Sequence, residues 1–193
     1  MPMPFLVGTV ALSLLGISDS TRAVANPSVT RTSAPAALSS DSGASRTSAS
    51  HAFLADSIVV DKSQHRLSLY RQGSLVRSYL VALGQQPVGD KVRRGDMRTP
   101  EGLFRIEARN AESRYHRALR ISYPDAAHLA RARALGVSPG GDIMIHGLPA
   151  RQAWVGAAHR DFDWTEGCIA LTNEEIDEIW TAVPVGTPVQ IKP

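Results

Sequence analysis

Alternating apolar and polar residues predict three strands near the start of the folded part of the chain. Residues 57–61 form a short apolar run, and residues 66–70 alternate polar and apolar side chains, as a half-buried strand does. Residues 75–83 repeat the strand pattern. Turn-forming residues at 62–64 and 71–73 separate the three segments. We therefore predict a β-meander.

The following segments mix strands, one helix and a long loop. Strand patterns recur at 101–106 and 142–146, and residues 84–100 contain three glycines and two prolines, which predicts a long loop. Residues 125–135 are rich in alanine and leucine and are followed by Gly136, which predicts a helix that ends there.

A second helix is predicted after residue 172. Thr172 and Glu175 match the capping box, and apolar residues then recur on one face at 176, 179, 180 and 183. Residues 188–191 fit a last strand. The pattern as a whole favours a mainly β fold, a twisted mixed sandwich with a few short helices.

The N-terminal segment has the features of an export signal. Residues 5–17 form an apolar run of 13 residues, which is too short for a membrane span, and Ala23-Val24-Ala25 offers small residues for cleavage. We expect a signal peptide over 1–25 that is cleaved after Ala25, with an uncleaved anchor as the alternative. Residues 26–51, rich in Ser, Ala and Thr, predict a flexible linker, and 52–193 a single domain in the periplasm or cell-wall space.

The net charge of +3 gives no electrostatic argument for a nucleic-acid partner. Basic residues are nevertheless dense between 91 and 117, where eight Lys or Arg residues face four acidic ones. This stretch is either a solvated loop or a rim that attracts a carboxylate-bearing or anionic polymer.

The single cysteine is informative in an exported chain, because one thiol cannot form an intrachain disulfide. Cys168 follows Gly167, and His146 ends an apolar strand. A thiol needs a base or a positive field to react at neutral pH, and an imidazole supplies both. We therefore predict Cys168 as nucleophile and His146 as base, with a backbone carbonyl holding the second imidazole nitrogen. The N–H groups of Gly167 and Cys168 are the candidate oxyanion donors, each worth roughly 3 kcal/mol.

These two segments resemble the L,D-transpeptidase catalytic domain (the YkuD family). Its motif is a strand-end His-Gly followed about twenty residues later by Ser/Thr-x-Gly-Cys, which His146-Gly147 and Thr165 to Cys168 match. The resemblance continues upstream and covers roughly 56–192, through the segments Val81 to Gly84, Gly95-Asp96 and Arg98 to Phe104.

The resemblance implies a substrate class as well as a fold. In this family a cysteine attacks a tetrapeptide stem of peptidoglycan that contains meso-diaminopimelate and releases D-alanine. The acyl group then passes to an amine, which forms a crosslink or attaches a lipoprotein, or to water. Carried over to this chain, Cys168 is the nucleophile and His146 the base, with Gly147, Thr165 and Gly167 in supporting positions. No cofactor or metal is implied, and we expect a monomer.

Two departures from the family pattern leave the reaction open. Glu166 stands where many members have histidine, and Ala170 stands where many have arginine or asparagine. Hydrolysis is therefore the alternative, as an L,D-carboxypeptidase or in cleavage of a lipoprotein crosslink. A non-catalytic wall-binding module is a further alternative.

Other residues near the two segments have less certain roles. His159 is an alternative base, and His146, His159, Cys168 and an aspartate could together bind zinc, although no close ligand pair is present. Arg114, Tyr115 and His116 are candidates for binding the donor peptide, or are solvated loop residues. Of Trp154 and Trp164, we expect one in the core and the other in the wall of the substrate groove. Asp161 and Asp163 are surface or turn residues, or orient an imidazole or bind the substrate's ammonium.

Overall fold

The computed structural model describes residues 53–193. Residues 1–52 lie outside this range. They comprise the predicted signal peptide, the predicted linker and Ala52, the first residue of the predicted domain. The described part contains eight strands, two α-helices and one 3-10 helical segment: β1 (Ser57–Asp61), β2 (Arg66–Arg71), β3 (Ser74–Leu80), β4 (Gly102–Ser113), β5 (His116–Ile121), α1 (Ala126–Ala134), β6 (Met144–His146), the 3-10 segment (Ala150–Asp161), β7 (Ile169–Ala170), α2 (Asn173–Ala182) and β8 (Pro188–Lys192).

All eight strands join one mixed sheet in the order β3-β2-β1-β8-β4-β5-β6-β7. β1 and β8 are parallel, as are β6 and β7, and the other neighbours are antiparallel. Two isolated bridges, Ala82 to Ala170 and Gly84 to Thr165, connect the chain after β3 with the chain around β7. The sheet therefore curls back on itself, and the predicted mainly β, mixed fold with short helices is confirmed.

Alternating burial along the strands produces the core. In β1 the side chains of Ile58 and Val60 are buried while their neighbours are partly exposed, as a strand with one buried face requires. Helix α2 packs against this core through Ile176 and Ile179, both fully buried. Its capping box forms as predicted: Thr172 Oγ1 accepts the Glu175 N–H, and the Glu175 carboxylate accepts the Thr172 N–H.

The structure differs from the sequence prediction in three places. β4 extends to Ser113 and pairs with β5, a strand that the sequence analysis did not identify. The segment at 150–161, for which the sequence analysis predicted no helix, is 3-10 helical with a kink at Gly156. Trp154 on this segment is 85% exposed and Trp164 is only partly buried, so the expectation that one of the two tryptophans lies in the core is wrong. None of the helices within residues 53–193 is long and apolar enough to cross a membrane.

The long loop at 84–100 is held by buried charges rather than left free in solvent. Lys62, which the sequence placed in a turn, is 3% exposed and donates to the Glu101 carboxylate at 2.7 Å and to the carbonyls of Gly89 and Thr99. Asp96 accepts from Lys91 Nζ at 2.8 Å and from three backbone N–H groups of the same loop. These contacts fix the loop against the rest of the domain.

Candidate active site

Strands β6 and β7 place His146 and Cys168 on the same face of the sheet. The parallel register aligns His146 with Ala170, and Cys168 precedes Ala170 by two residues. Because side chains alternate between faces with a period of two, Cys168 and His146 project to the same side. Both side chains line one cavity of about 770 Å³.

The imidazole of His146 is buried and held in one tautomer. Nδ1 lies 2.7 Å from the carbonyl oxygen of Gly147. A carbonyl only accepts hydrogen bonds, so Nδ1 carries the proton and Nε2 is left as an acceptor. Burial lowers the pKa of His146 to about 4, with a smaller lowering from His159 and Arg114, so the ring is uncharged at neutral pH.

A glycine is required after His146 because α2 approaches the backbone closely there. A Cβ at position 147 would lie 2.6 Å from Asn173 Oδ1 and 2.9 Å from Ile176 Cγ2. Asn173 Oδ1 also accepts the N–H of Leu148 at 2.7 Å. The first residues of α2 therefore fix the turn whose carbonyl orients the imidazole.

The thiol of Cys168 is also uncharged in this environment. Burial raises its pKa, partly offset by a hydrogen bond from the Met144 N–H to the sulfur. Nearby Glu166 and Asp142 raise the pKa further, whereas Lys91 lowers it. The thiol faces the carbonyl oxygen of Asp142 at 3.7 Å, a contact in which a protonated sulfur donates.

The turn before Cys168 is organised by Thr165. Its hydroxyl donates to the Cys168 carbonyl at 2.7 Å and accepts the Gly167 N–H at 3.1 Å. The Gly167 N–H is therefore not available as an oxyanion donor, because it is hydrogen-bonded to Thr165 inside the turn. The Cys168 N–H has no hydrogen-bond partner among residues 53–193 and remains the candidate donor.

Gly167 satisfies a steric and a conformational requirement. Its φ of +127° lies in a region that L side chains rarely adopt, and a Cβ there would lie 2.5 Å from the backbone carbonyl oxygen of Arg98. The loop at 84–100 thus packs directly against the backbone that presents the cysteine.

Two aromatic side chains enclose His146. Tyr115 stacks on the imidazole with ring centroids 4.4 Å apart and an interplanar angle of 29°. Trp164 meets the same ring edge to face at 5.9 Å and 67°. The guanidinium of Arg114 lies 4.8 Å above the Tyr115 ring. Arg114, Tyr115 and Trp164 also line the cavity, so three of the candidate binding residues lie at the site.

The other candidates lie elsewhere. His116 Nε2 is 2.8 Å from an Asp177 carboxylate oxygen and is directed toward α2. His159 is buried in contact with Trp164 and lies outside the cavity lining. The Asp163 carboxylate accepts the Leu83 N–H at 2.7 Å and contacts His65, so it has a structural role. Within residues 53–193, no three His, Cys, Asp or Glu side chains are grouped closely enough to hold a metal ion, so the zinc alternative lacks a ligand set there.

The cavity carries charges of both signs. Lys91, Arg94 and Arg114 contribute positive charge, and Asp142 and Glu166 contribute negative charge. Lys91 is paired with Asp96, which leaves Arg94 and Arg114 as the lining cations without an acidic partner within residues 53–193. The basic stretch at 91–117 is therefore divided between ion pairs of the loop and the wall of the cavity.

Several lining residues were not identified from the sequence. They come from the end of β4 and from the chain before β6, and they are Asn110, Ser113, Gly140, Gly141 and Ile143. Their positions depend on the pairing of β5 with β4 and with β6, and β5 was not predicted from the sequence.

Comparison with known proteins agrees with this geometry. The L,D-transpeptidase catalytic domain model (YkuD) matches residues 55–191. YafK of Escherichia coli (strain K12), named as an L,D-transpeptidase, is 32% identical over 132 residues, which are 65% of this chain and 46% of YafK. YqjB of Bacillus subtilis (strain 168), named likewise, is 28% identical over 137 residues, 69% of each protein.

Among solved structures, the helical cell shape determining protein Pgp2 from Campylobacter jejuni superposes with a TM-score of 0.54 at 25% identity, over 70% of this chain and 46% of Pgp2. The chain thus spans about half the length of YafK and of Pgp2.

Proposed function

We propose that this chain, which belongs to the L,D-transpeptidase catalytic domain family, is a cysteine-dependent acyltransferase acting on peptidoglycan stem peptides. The family acts on these peptides, and the match covers residues 55–191. The observation that carries the proposal is the shared cavity of Cys168 and His146, with the Nδ1 proton of His146 bound to Gly147 and Nε2 left free.

In the proposed acylation step, Nε2 of His146 removes the thiol proton as the sulfur of Cys168 attacks the peptide carbonyl. A sulfur–carbon bond forms, and the Cys168 N–H donates to the oxygen on which negative charge develops. Collapse breaks the carbon–nitrogen bond to D-alanine, and the imidazolium returns its proton to the leaving amine. Burial keeps the pKa of His146 at about 4, so Nε2 carries no proton at neutral pH and is available as the acceptor, although burial also makes the ring a weaker base.

In the proposed second step, an amine of another stem attacks the thioester. Its proton passes to Nε2 of His146, and the carbon–sulfur bond breaks as the thiol is reprotonated. The product is a crosslink between two stems, or an attached lipoprotein if the amine belongs to one. Arg94 and Arg114 fit a donor peptide with free carboxylates, since they are the cavity cations without an acidic partner among residues 53–193.

A hydrolytic reaction on the same thioester is the second candidate, and Glu166 and Ala170 favour it. Glu166 is exposed beside the nucleophile, and Ala170 is fully buried with its N–H bonded to Ala82. An exposed carboxylate next to the thioester can order a water molecule, whereas Ala170 offers no counterpart to the polar arginine or asparagine side chain that many members have at its position. The products would be a tripeptide stem, or a lipoprotein released from the wall.

We also propose export, with cleavage after Ala25 and a monomeric domain in the periplasm or cell-wall space. The substrate class supports this location, since peptidoglycan lies outside the inner membrane. Residues 1–25 are outside the described part of the chain, so this proposal depends on the sequence pattern.

The test is incubation of the purified protein with disaccharide-tetrapeptide, crosslinked wall fragments and lipoprotein-linked fragments, followed by mass spectrometry. Dimers or D-amino-acid exchange that disappear in Cys168→Ala would support transfer. Cleavage without transfer would support hydrolysis. If no fragment gave a Cys168-dependent product, the enzymatic proposal would be wrong and a wall-binding role would replace it.

A further inference from the structure

His159 is a buried histidine in an otherwise exposed segment. It is 4% exposed, while Arg151 to Trp154 and the two alanines before it are exposed. Its Nδ1 accepts a long hydrogen bond of 3.4 Å from the indole N–H of Trp164. The proton of the neutral ring therefore lies on Nε2.

This arrangement carries an energetic cost. Nε2 of His159 is buried and has no hydrogen-bond partner among residues 53–193. A buried donor without a partner costs about 1–3 kcal/mol, which an apolar side chain at the same place would avoid. Stability alone therefore does not explain a histidine at this position.

The partner of His159 is the side chain that encloses His146. The Trp164 ring centroid lies 6.4 Å from that of His159 at an interplanar angle of 86°, and the same indole also packs near His146 and Tyr115, with centroids 5.9 Å and 6.3 Å away. An indole has one N–H, and a bond to that group fixes the rotation of the ring about its attachment. With the bond in place, the indole presents a defined apolar surface to His146 and to the cavity.

We propose that His159 is a positioning residue, which holds the indole plane of Trp164 and thereby the apolar wall that excludes water from His146. The inference rests on the proposed role of His146 as base and extends it to a residue outside the cavity. His159 does not itself take part in proton transfer.

Loss of the wall has a defined consequence for His146. Water that reaches the imidazole stabilises its charged form, so the His146 pKa rises from about 4 toward its ordinary value. The titratable and charged groups facing the two rings are His159 and Arg114 for His146, and Arg160 and Glu175 for His159. Substitution of His159 removes one of these groups, so the wall is reported by the difference between His159→Leu and His159→Asn, both of which lack the imidazole.

The test compares His159→Leu with His159→Asn. Leucine removes the acceptor, whereas the asparagine side-chain oxygen lies near the place of Nδ1 and can accept the indole N–H. Water admitted beside the ring hydrogen-bonds to Nε2 of His146 in competition with the thiol, so we expect His159→Leu to lower kcat roughly tenfold with little change in KM. The melting temperature should be unchanged or higher, because the unpaired buried donor is removed. We expect His159→Asn to recover most of the lost kcat.

A double-mutant cycle with Trp164→Phe tests whether His159 acts on His146 through the Trp164 indole. If His159 acts through Trp164, His159→Leu in the Trp164→Phe background lowers kcat no further. Trp154→Phe is the matched control on the exposed tryptophan and should change nothing. Additive losses, or a fall in melting temperature of His159→Leu that parallels the loss of kcat, would overturn the proposal.

NMR titration of the His146 ring provides a readout that needs no substrate. The His146 pKa in His159→Leu should lie about one unit or more above that in His159→Asn, which is a tenfold change in proton affinity. Equal His146 pKa values in the two variants would refute the positioning role, because both lack the His159 ring and only one lacks the acceptor. If the protein turned over no wall fragment, the proposed function would fail while this titration still decided the role of His159.

Discussion

The pH dependence of Cys168 alkylation follows directly from the burial of the two candidate catalytic residues. Burial raises the pKa of the thiol and lowers that of His146 to about 4, so at neutral pH the proton stays on sulfur and the ring is uncharged. A thiolate–imidazolium pair would need the reverse order of pKa values. Alkylating agents react with the thiolate, whose fraction changes tenfold per pH unit below the thiol pKa.

Alkylation by iodoacetamide should therefore accelerate roughly a hundredfold between pH 6 and pH 8, with no plateau in this range. Cys168 is the single cysteine of the chain, so the mass increase on the intact protein reports this thiol alone. His146→Gln is the control, and it should leave the low-pH rates nearly unchanged because no imidazolium stabilises a thiolate there. A plateau extending below pH 6 that disappears in His146→Gln would show an ion pair and refute the reasoning.

Three further outcomes are expected. Gly167→Ala should lower the free energy of unfolding by at least about 2 kcal/mol in chemical denaturation, because the new Cβ meets the Arg98 carbonyl at positive φ; an unchanged midpoint would contradict this. The free energy of unfolding should be at its full value above pH 6.5, where the histidines of the unfolded chain are neutral, and should fall as the pH drops toward 4. Burial lowers the pKa of both His146 and His159 to about 4, so the unfolded chain binds protons at a higher pH than the folded chain does. Acid melting curves without that decline would argue against burial of the two rings. A carbapenem should add its mass to Cys168, and an active protein that showed no mass shift would count against the family mechanism.

Local signals in the sequence were reliable where the cause is local. The capping box of Thr172 and Glu175 involves residues three positions apart, and the helix begins where it predicts. The strand-end position of His146 was likewise predicted, because an apolar run that stops at His-Gly marks the end of a buried strand.

The failures concern contacts between distant parts of the chain. Lys62 lies in a turn, as predicted, but the pattern contained no sign of its burial, which depends on Glu101, a partner 39 residues away. One of Trp154 and Trp164 was expected in the core, but Trp154 lies on the kinked 3-10 segment and is exposed to solvent. The Gly167 N–H was expected to point into the pocket, but it donates a hydrogen bond to the Thr165 hydroxyl instead. Hydrophobic periodicity contains no information on such pairings, which depend on tertiary structure.

Capture of the acyl-enzyme tests most directly whether Cys168 is the nucleophile. The protein is mixed with disaccharide-tetrapeptide, quenched in acid and analysed by intact-mass and peptide-mapping mass spectrometry, beside Cys168→Ala. We predict a mass increase equal to the substrate minus D-alanine, located on the peptide that contains Cys168, removed by hydroxylamine and absent from the variant. Turnover of the same substrate with an unmodified Cys168, or with full activity in Cys168→Ala, would contradict the account.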